Sequence, residues 1–451
     1  MQREIRPIRT VDGIGWTDHH RPVALVDPVR RRRQWQSVLG GLIVFVFLAL
    51  WVAPLVGFIR TLAPFWRPGR YLVLLENDAE LRPGGGFIGS YAVVTINGRG
   101  WPHAEFQSNI YKVDNAFTAA QAIPPPEPLQ GIVDRWSLRD SNWAIDGADS
   151  AHAVANFFKL ETGQSVDGVI GLTAHVGQGL VGQLGAVLLP DGTKLTAANF
   201  YSVLAYQVEK GYFLDPAQRA INEPKTVVKS LVQSVALRLA LPWHVAPAVQ
   251  LVRTSLATKF ITVNFFDAAR QQQAEQLGWT NRVDRSSQHY LAVSNANIAG
   301  LKSSQSMSQQ VQLDITDSGT GSATYQLTLA RTHHGDGVWP DHRNDNLTRL
   351  VLPTGAVPTA ATLDGQPVSL TAEESTGGQA VVNLRIDTEP GTSRTLVTTF
   401  KVPIDRSLAP SFTWQKQPGV VSDDLTVRSN GRMVHQGLVD RDLTVNIPLN
   451  Q

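Results

Sequence analysis

YLVLLENDAELRPGGGFIGSYAVVTI, residues 71–96, is the stretch of this 451-residue chain from which the rest of its α/β part follows. Tyr71–Leu75 is apolar and predicts a buried strand, and Ser90–Ile96 predicts a second strand closed by Asn97-Gly98. Between the two strands lies a polar, glycine-rich turn. A turn of this composition between strands is typical of loops that hold an anion through backbone N–H groups.

Strand and helix signals alternate over residues 71–300. Helices are predicted over 148–160, 176–184, 197–206 and, interrupted near Pro224, over 216–241, and Val166–Leu172 predicts a further strand. This alternation predicts an α/β domain. Over residues 301–451 apolar and polar residues alternate instead, in short segments separated by turns such as Asp364-Gly365 and Pro390-Gly391. That pattern predicts a C-terminal antiparallel β-sandwich.

An apolar run near the start predicts a membrane anchor. Gln34–Ile59 has no ionisable side chain, and it follows the block Arg30–Arg33. About 20 apolar residues span a bilayer, and such a basic block stays on the cytoplasmic side. We therefore expect a cytoplasmic basic tail (1–36), one transmembrane helix (37–59), a short linker (60–70) and extracytoplasmic domains at the cell membrane. A cleaved signal peptide is the alternative, although its apolar core is shorter and lies closer to the start.

Composition excludes several classes of function. The chain has no cysteine, so disulfides, thiolate metal sites and thiol catalysis are excluded. The formal net charge is only +2, and the basic surplus lies in the N-terminal tail. No basic face indicates nucleic acid as a partner.

The first candidate site is the glycine-rich turn itself. Arg82 is able to pair bidentately with a phosphate, and glycines allow a backbone to approach a ligand closely. The members of this group are Asn77, Glu80, Arg82, Gly84, Gly85 and Gly86. A structural turn with a surface ion pair between Glu80 and Arg82 is the alternative.

The second candidate site is the segment Arg139-Asp140-Ser141-Asn142-Trp143, with Asp146 close behind. Asp140, Asp146 and Asn142 supply oxygen ligands of the kind that Mg²⁺ prefers, and Arg139 is a phosphate ligand in this interpretation. The alternative is a turn that leads into a helix, with Asp146 as its cap.

Two further groups give weaker signals. Asp215 and Arg219 are four residues apart, so an ordinary helical ion pair is the default interpretation, with Tyr206, Glu209 and Lys210 nearby. The group of His333, His334, Asp341 and His342 has the residue types of a transition-metal site, but such clusters in loops are usually not metal sites.

Several stretches resemble a bacterial family known as domain of unknown function 4012. The resemblance rests on LLENDAELRPGGGFIGSY (74–91), LRDSNWAID (138–146), VDGVIGL (166–172), TAAN (196–199) and QKQPG (415–419). It extends over about 71–430, nearly the whole predicted ectodomain.

A more distant resemblance is to the LytR–CpsA–Psr phosphotransferases, single-span proteins that move glycopolymers from a polyprenyl-diphosphate carrier to the cell wall. It implies an α/β domain of that type, with a mixed sheet and flanking helices. It also implies Asp78 and Asp215 as Mg²⁺ ligands, and Arg139 and Arg219 as phosphate ligands. The sequence departs from that family after the first turn, where Gly-Gly-Phe-Ile replaces an Arg-Ser-Asp motif and leaves Arg82 as the substitute.

Two functions follow as expectations. The first is a membrane-anchored envelope protein that binds a polyprenyl-phosphate-linked glycan or a cell-wall polymer and transfers it, with Arg82, Arg139, Asp140 and Arg219 as catalytic residues. The second is a non-catalytic envelope scaffold or adhesin with the same fold. They differ in whether Arg82, Arg139 and Arg219 meet in one pocket.

Overall fold

The computed structural model describes residues 39–42, 45–46, 56–57, 60, 66–99, 102–116, 122–214, 216, 226–284, 287–319, 321–374, 379–408 and 410–449. The chain forms two compact units, Met1–Gly57 and Phe58–Gln451. The basic tail, most of the expected transmembrane helix, Asp215 and Arg219 lie outside the described residues. Among the residues that the structure describes, no single helix has the length and hydropathy of a membrane span.

A five-stranded sheet forms the centre of the first part of the second unit. Its strand order is β3-β2-β1-β4-β7, and only β1 and β4 run parallel. The strands are β1 (Gly69–Asn77), β2 (Phe87–Ile96), β3 (Pro102–Gln107), β4 (Gly168–Thr173) and β7 (Ile261–Phe265). A separate two-stranded ribbon joins β5 (Val187–Leu188) and β6 (Lys194–Leu195).

Helices cover both faces of this sheet. The helices are α1 (Ile110–Ala116), α2 (Gly147–Thr162), α3 (Ala174–Leu184), α4 (Phe200–Ala205), α5 (Thr226–Leu239), α6 (Pro242–Ala257) and α7 (Ala268–Gln276). A π-helical segment (Tyr206–Gly211) and one further turn (Tyr212–Leu214) continue α4. Because alternate β1 residues point to opposite faces, Leu72 and Leu74 pack on α2, whereas Tyr71 packs with residues of α3 and α6.

Two larger sheets share one hydrophobic core in the C-terminal part. Their strand orders are β13-β12-β16-β10-β9-β18-β19 and β14-β15-β11-β8-β17-β20. The first sheet comprises β9 (Met307–Asp317), β10 (Ser322–His333), β12 (Val357–Leu363), β13 (Gln366–Pro367), β16 (Ser393–Pro403), β18 (Asp423–Ser429) and β19 (Arg432–Val439). The second comprises β8 (His289–Asn297), β11 (Asn346–Val351), β14 (Thr371–Glu374), β15 (Ala380–Arg385), β17 (Ser411–Gln415) and β20 (Leu443–Asn446). Side chains such as Trp414 and Tyr325, one from each sheet, are fully buried in that core. The prediction of a mixed α/β fold with several sheets is confirmed.

The glycine-rich turn packs inward, against the protein itself. A Cβ atom at Gly84 would lie 2.9 Å from Cβ of Asn142, and one at Gly85 would lie 2.6 Å from Oε2 of Glu76. The Asn142 amide in turn donates to Oε1 of Glu76 at 2.7 Å and to the carbonyl of Gly86 at 2.8 Å. Glycine is required at these positions because the backbone passes so close to buried side chains.

The segment Gln415–Gly419 closes over this turn from the C-terminal part. Gln417 donates to the carbonyl of Arg82 at 3.1 Å and to that of Asn295 at 2.7 Å. Gly419 lies directly against the carbonyl of Gly85 and leaves no room for a side chain. We call this contact of residues 82–86 with residues 415–419 the loop junction. It joins the two parts of the unit through buried polar groups.

Glu76 is a titratable group that lies against the glycine-rich turn, next to the loop junction. Burial raises the pKa of its carboxyl to about 8; the Asn142 hydrogen bond opposes the shift, and the charge of Asp78 adds to it. Beside it lies a small cavity of about 20 Å³, enough for one water molecule. Its polar lining is Glu76, Asn142, Ser150, Thr262, Asn264 and Asn281. Glu76 is therefore mainly protonated at neutral pH.

We expect Gly86→Ala to destabilise the protein by at least about 2 kcal/mol, the range of overpacked cores. A Cβ atom at Gly86 would meet the backbone of Asn77 and lie 2.7 Å from the backbone nitrogen of Asp78. Gly98→Ala is the matched control, because nothing lies within 4 Å of its Cβ position. Urea unfolding of both variants measures the difference, and equal stability of the two would show that the turn is not crowded.

We expect Glu76→Gln to flatten the pH dependence of stability. A carboxyl whose pKa is raised on folding stabilises the protein fully below the unfolded pKa of 4.5, and that contribution is lost as the pH rises through about 8. The unfolding free energy of the variant should therefore rise relative to that of the wild type across this window, by up to about 1.4 kcal/mol per pH unit. Unfolding free energies at pH 5, 6.5 and 8 measure this, with the exposed Glu127→Gln as the control. Parallel pH profiles of variant and wild type would contradict the assignment.

Candidate functional site

A large cavity opens at the carboxyl ends of the parallel strands β1 and β4. Its volume is about 1040 Å³, at the upper end of the range of ligand pockets. Carboxyl ends of neighbouring parallel strands are the usual place for ligands in α/β sheets. The cavity is therefore the candidate functional site of this protein.

Helices supply an apolar wall to the cavity. This wall includes Leu180 of α3, Leu204 of α4, Val208 of the π-helical segment, and Leu231, Val235 and Leu239 of α5. A π-helical segment is rare and frequently lies at a functional site. The cavity accordingly suits an apolar chain more than a compact polar ligand.

Part of the cavity lining is polar, and behind it lies the buried carboxylate of Asp78, which is not itself a lining residue. Tyr201 and Thr173 line the cavity, and the Tyr201 hydroxyl donates to Oδ1 of Asp78 at 2.9 Å. The backbone N–H of His175, in the first turn of α3, donates to Oδ2 of Asp78 at 3.3 Å. Burial raises the pKa of Asp78 to about 6, although these hydrogen bonds lower it. The neighbouring Tyr201 hydroxyl stays protonated because its burial and the Asp78 charge both raise its pKa.

An ion-pair network forms the rim between the helices and the C-terminal part. Nζ of Lys302 lies 2.7 Å from Oε2 of Glu80 and 3.0 Å from Oε1 of Glu209. Burial alone lowers the pKa of Lys302, but these two carboxylates outweigh it and the net pKa is raised. The ammonium of Lys210 packs over the Trp339 ring, 3.8 Å from its centroid. Lys302 is the only lysine or arginine among the described residues that line the cavity.

The arginines expected to hold phosphate are engaged inside the protein. Nη2 of Arg82 lies 3.3 Å from Oδ1 of Asp140, and its Nη1 donates to the carbonyl of Asn297. Arg139 pairs with Asp114 at 3.0 Å and with the other Asp140 oxygen at 3.4 Å. Arg82 and Arg139 thus meet at Asp140, where carboxylates neutralise them, and neither is among the residues that line the cavity.

The expected anion-binding turn uses its own polar groups within the protein. The N–H of Gly84 donates to the carbonyl of Asn142 at 3.2 Å, and that of Gly85 donates to the carbonyl of Arg82 at 3.0 Å. Asn77 lines the cavity, and its side chain caps the short helix that follows. The N–H groups of Gly84 and Gly85 thus have hydrogen-bond partners within the protein.

Asp146 serves as a helix cap. It accepts hydrogen bonds from the N–H groups of Ala148 at 3.0 Å and Asp149 at 3.3 Å, and it pairs with Arg282 at 3.1 Å. The expected Mg²⁺ ligands Asp78, Asp140 and Asp146 have separate partners in the structure. Within the described ranges, no group of three or more His, Asp or Glu side chains is placed to hold a metal ion.

The histidine group is likewise divided among different partners. Nε2 of His333 lies 2.8 Å from the carbonyl of His342 and 3.5 Å from the Asp341 carboxylate. His334 instead contacts the Ser308 hydroxyl at 2.7 Å.

The sequence analysis did not identify Tyr201 or Lys302 as site residues. Tyr201 is the second residue after the TAAN stretch, and a polar ring near the start of a predicted helix was a usable signal. Lys302 gave no local signal, because its partners Glu80 and Glu209 are distant in sequence.

Comparison with solved structures finds only partial likenesses. A protein described as nutrient-binding, from Legionella pneumophila, shares 9% identity, with 27% of this chain and 50% of that chain covered and a TM-score of 0.21. An M1 zinc metallopeptidase from Deinococcus radiodurans shares 16% identity over 28% of this chain and 32% of its own, with a TM-score of 0.19. Yeast LTA4 hydrolase shares 10% identity over 28% of this chain and 23% of its own, with a TM-score of 0.18. The chain thus spans half or less of these proteins, and scores this low do not indicate a common fold.

Comparison by sequence gives a clearer result. Among curated proteins none matches this chain significantly. A family model does match, over the region that contains β1, the glycine-rich turn, α2, α3 and α4. Residues 67–208 match the family described as protein of unknown function (DUF4012), which confirms for this region the family predicted from the sequence.

Proposed function

We propose that this chain is a membrane-anchored, extracytoplasmic protein of the cell envelope that binds a lipid-linked ligand in the large cavity. The observation that carries the proposal is the cavity itself, with its apolar helical wall and a few polar lining residues such as Tyr201 and Lys302. An amphiphile fits such a site because its apolar chain is removed from water while its head group finds hydrogen-bond partners. The apolar run Gln34–Ile59 and the short linker after it support a position next to the bilayer.

Polyprenyl-phosphate-linked glycan is the ligand class that we propose. The resemblance in order of parts to the LytR–CpsA–Psr proteins supports this choice, as does the long apolar wall. At the rim, Lys302 is the one lysine or arginine of the described cavity lining, and a phosphate would bind it by displacing Glu80 or Glu209 from its ammonium.

Binding is better supported than transfer. A transferase of that type uses several arginines to hold the pyrophosphate, but Arg82 and Arg139 are neutralised by Asp140 and Asp114. This observation favours binding without turnover, and it also supports the second candidate function, a non-catalytic envelope scaffold or adhesin.

We expect the full chain to bind polyprenyl phosphate and Ala236→Trp to abolish that binding. Ala236 lines the cavity from α5, so an indole at this position fills space that the lipid chain needs. Gln233→Trp, on the same helix, exposed and not among the residues that line the cavity, is the matched control. Native mass spectrometry from detergent, with and without Mg²⁺, measures the bound lipid. No lipid retention by the wild-type chain in either condition would overturn the proposal.

The head group is tested separately with Lys302→Gln. We expect the wild type to prefer polyprenyl phosphate over the uncharged polyprenol, and the variant to lose roughly 10- to 100-fold of that preference. This is the size of one charge-assisted hydrogen bond. Binding of polyprenol itself should stay unchanged, because the apolar wall is intact. An unaltered preference in the variant would remove Lys302 from the site.

A further inference from the structure

The turn between α5 and α6 presents apolar side chains to solvent. We call residues 237–243 the hairpin corner. Within it Leu237 is 75% exposed and Trp243 is 67% exposed, and Leu241 is exposed as well. Large apolar side chains that are exposed together mark a surface that contacts another apolar phase.

The hairpin corner is apolar outside because its charged residue is turned inward. Arg238 donates to the carbonyl of Leu184 at 3.0 Å and to that of Ala186 at 2.7 Å, at the C-terminal end of α3. A cation at a helix C-terminus is favourable because the terminal carbonyls lack helical partners. Among residues 237–243, Arg238 is the only ionisable residue, so no charge is left on the outer face.

The two helices that meet at this corner have the composition of a membrane-contacting segment. Residues 226–257 contain Lys229, Arg238 and Arg253 but no Asp or Glu. Val227–Leu239 and Trp243–Ala257 together have the length and hydropathy of a membrane span, but they are bent by 120°. A tryptophan among leucines is typical of the interface between lipid and water.

Leu239 belongs both to the hairpin corner and to the cavity lining, and further apolar lining residues are exposed. Val232 on α5 and Phe213 after the π-helical segment both line the cavity, and both are exposed, Phe213 by 66%. An apolar cavity whose rim is apolar and exposed allows a lipid chain to enter without crossing water.

We infer that the hairpin corner inserts into the outer interface of the bilayer and brings the apolar wall of the cavity next to the lipid chains. The partner is the lipid surface itself. The inference rests on the proposed function in one respect, since the anchor at residues 37–59 and the short linker keep this surface close to the bilayer.

Depth measurements on the full chain test this directly. Because the chain has no cysteine, single substitutions place one spin label at a time. The labels replace Leu237 or Trp243 in the corner, Leu438 on β19 as a control that is also 75% exposed, and Leu48 in the predicted anchor. The labelled proteins are reconstituted in vesicles of equal parts phosphatidylethanolamine and phosphatidylglycerol. Collision with oxygen, relative to a water-soluble nickel chelate, gives the depth of each label.

We expect the labels at Leu237 and Trp243 to lie about 5–10 Å below the head groups, the depth of interfacial helices, and the label at Leu438 to lie in water. A label at Leu237 that is as accessible to the nickel chelate as the one at Leu438 would overturn the inference, whatever the anchor label shows. A label at Leu48 in water would instead overturn the anchor. The two failures are therefore distinguishable.

Discussion

Contact between the glycine-rich turn and the segment Gln415–Gly419 is the constraint on which the structure depends. The backbone of Gly85 touches Gly419 on one side and the Glu76 carboxyl on the other, so no side chain fits at either glycine. Gln417 satisfies backbone groups of both Arg82 and Asn295, which lie in different parts of the unit. Buried hydrogen bonds of this kind favour one relative arrangement, because a shift that breaks them leaves a donor or acceptor unsatisfied.

This constraint determines where the cavity lies. The loop junction holds the carboxyl end of β1, and Asp78 follows that strand directly. The Tyr201 hydroxyl on α4 donates to Asp78. Lys302 pairs both with Glu80 and with Glu209 of the π-helical segment. The helices that form the apolar wall are thus attached at their polar end, while α5 and the hairpin corner extend away from those attachments.

The spacing of apolar residues predicted those strands and helices whose signal lies within their own residues. The strands that became β1 and β2 and the helix that became α2 were expected close to their observed bounds. A helix such as α2 gives a strong signal because its caps, Asp146 and Gly163, and its apolar face all lie within one short stretch of sequence. The parallel pairing of β8 with β17 was not predicted, since those strands are more than 100 residues apart and pairing partners leave no local pattern.

The site was harder to predict for a related reason. A run of glycines shows that something lies close to the backbone, but not whether it is a ligand or the protein itself. Here Asn142, Glu76 and Gly419 lie against the backbone of Gly84 and Gly85. Similarly, Arg82 and Asp140 are chemically suited to phosphate and metal, yet each is also the other's partner. The residues that made the family recognisable therefore include those of the loop junction, whereas the cavity is lined largely by ordinary apolar residues.

Polarity is distributed unevenly around the cavity, and this gives a bound amphiphile a direction. Where the cavity borders residues 302–306, it meets the Lys302 ion pairs and the hydroxyl of Tyr201 lies close by. Where it borders α5, it meets Leu231, Val235 and Leu239, on a helix without acidic residues. A head group placed at the α5 side would lose hydration without gaining partners, at a cost of several kcal/mol for a charged group. The favourable orientation therefore puts the head group at the Lys302 rim and the apolar chain along α5, toward the exposed hairpin corner.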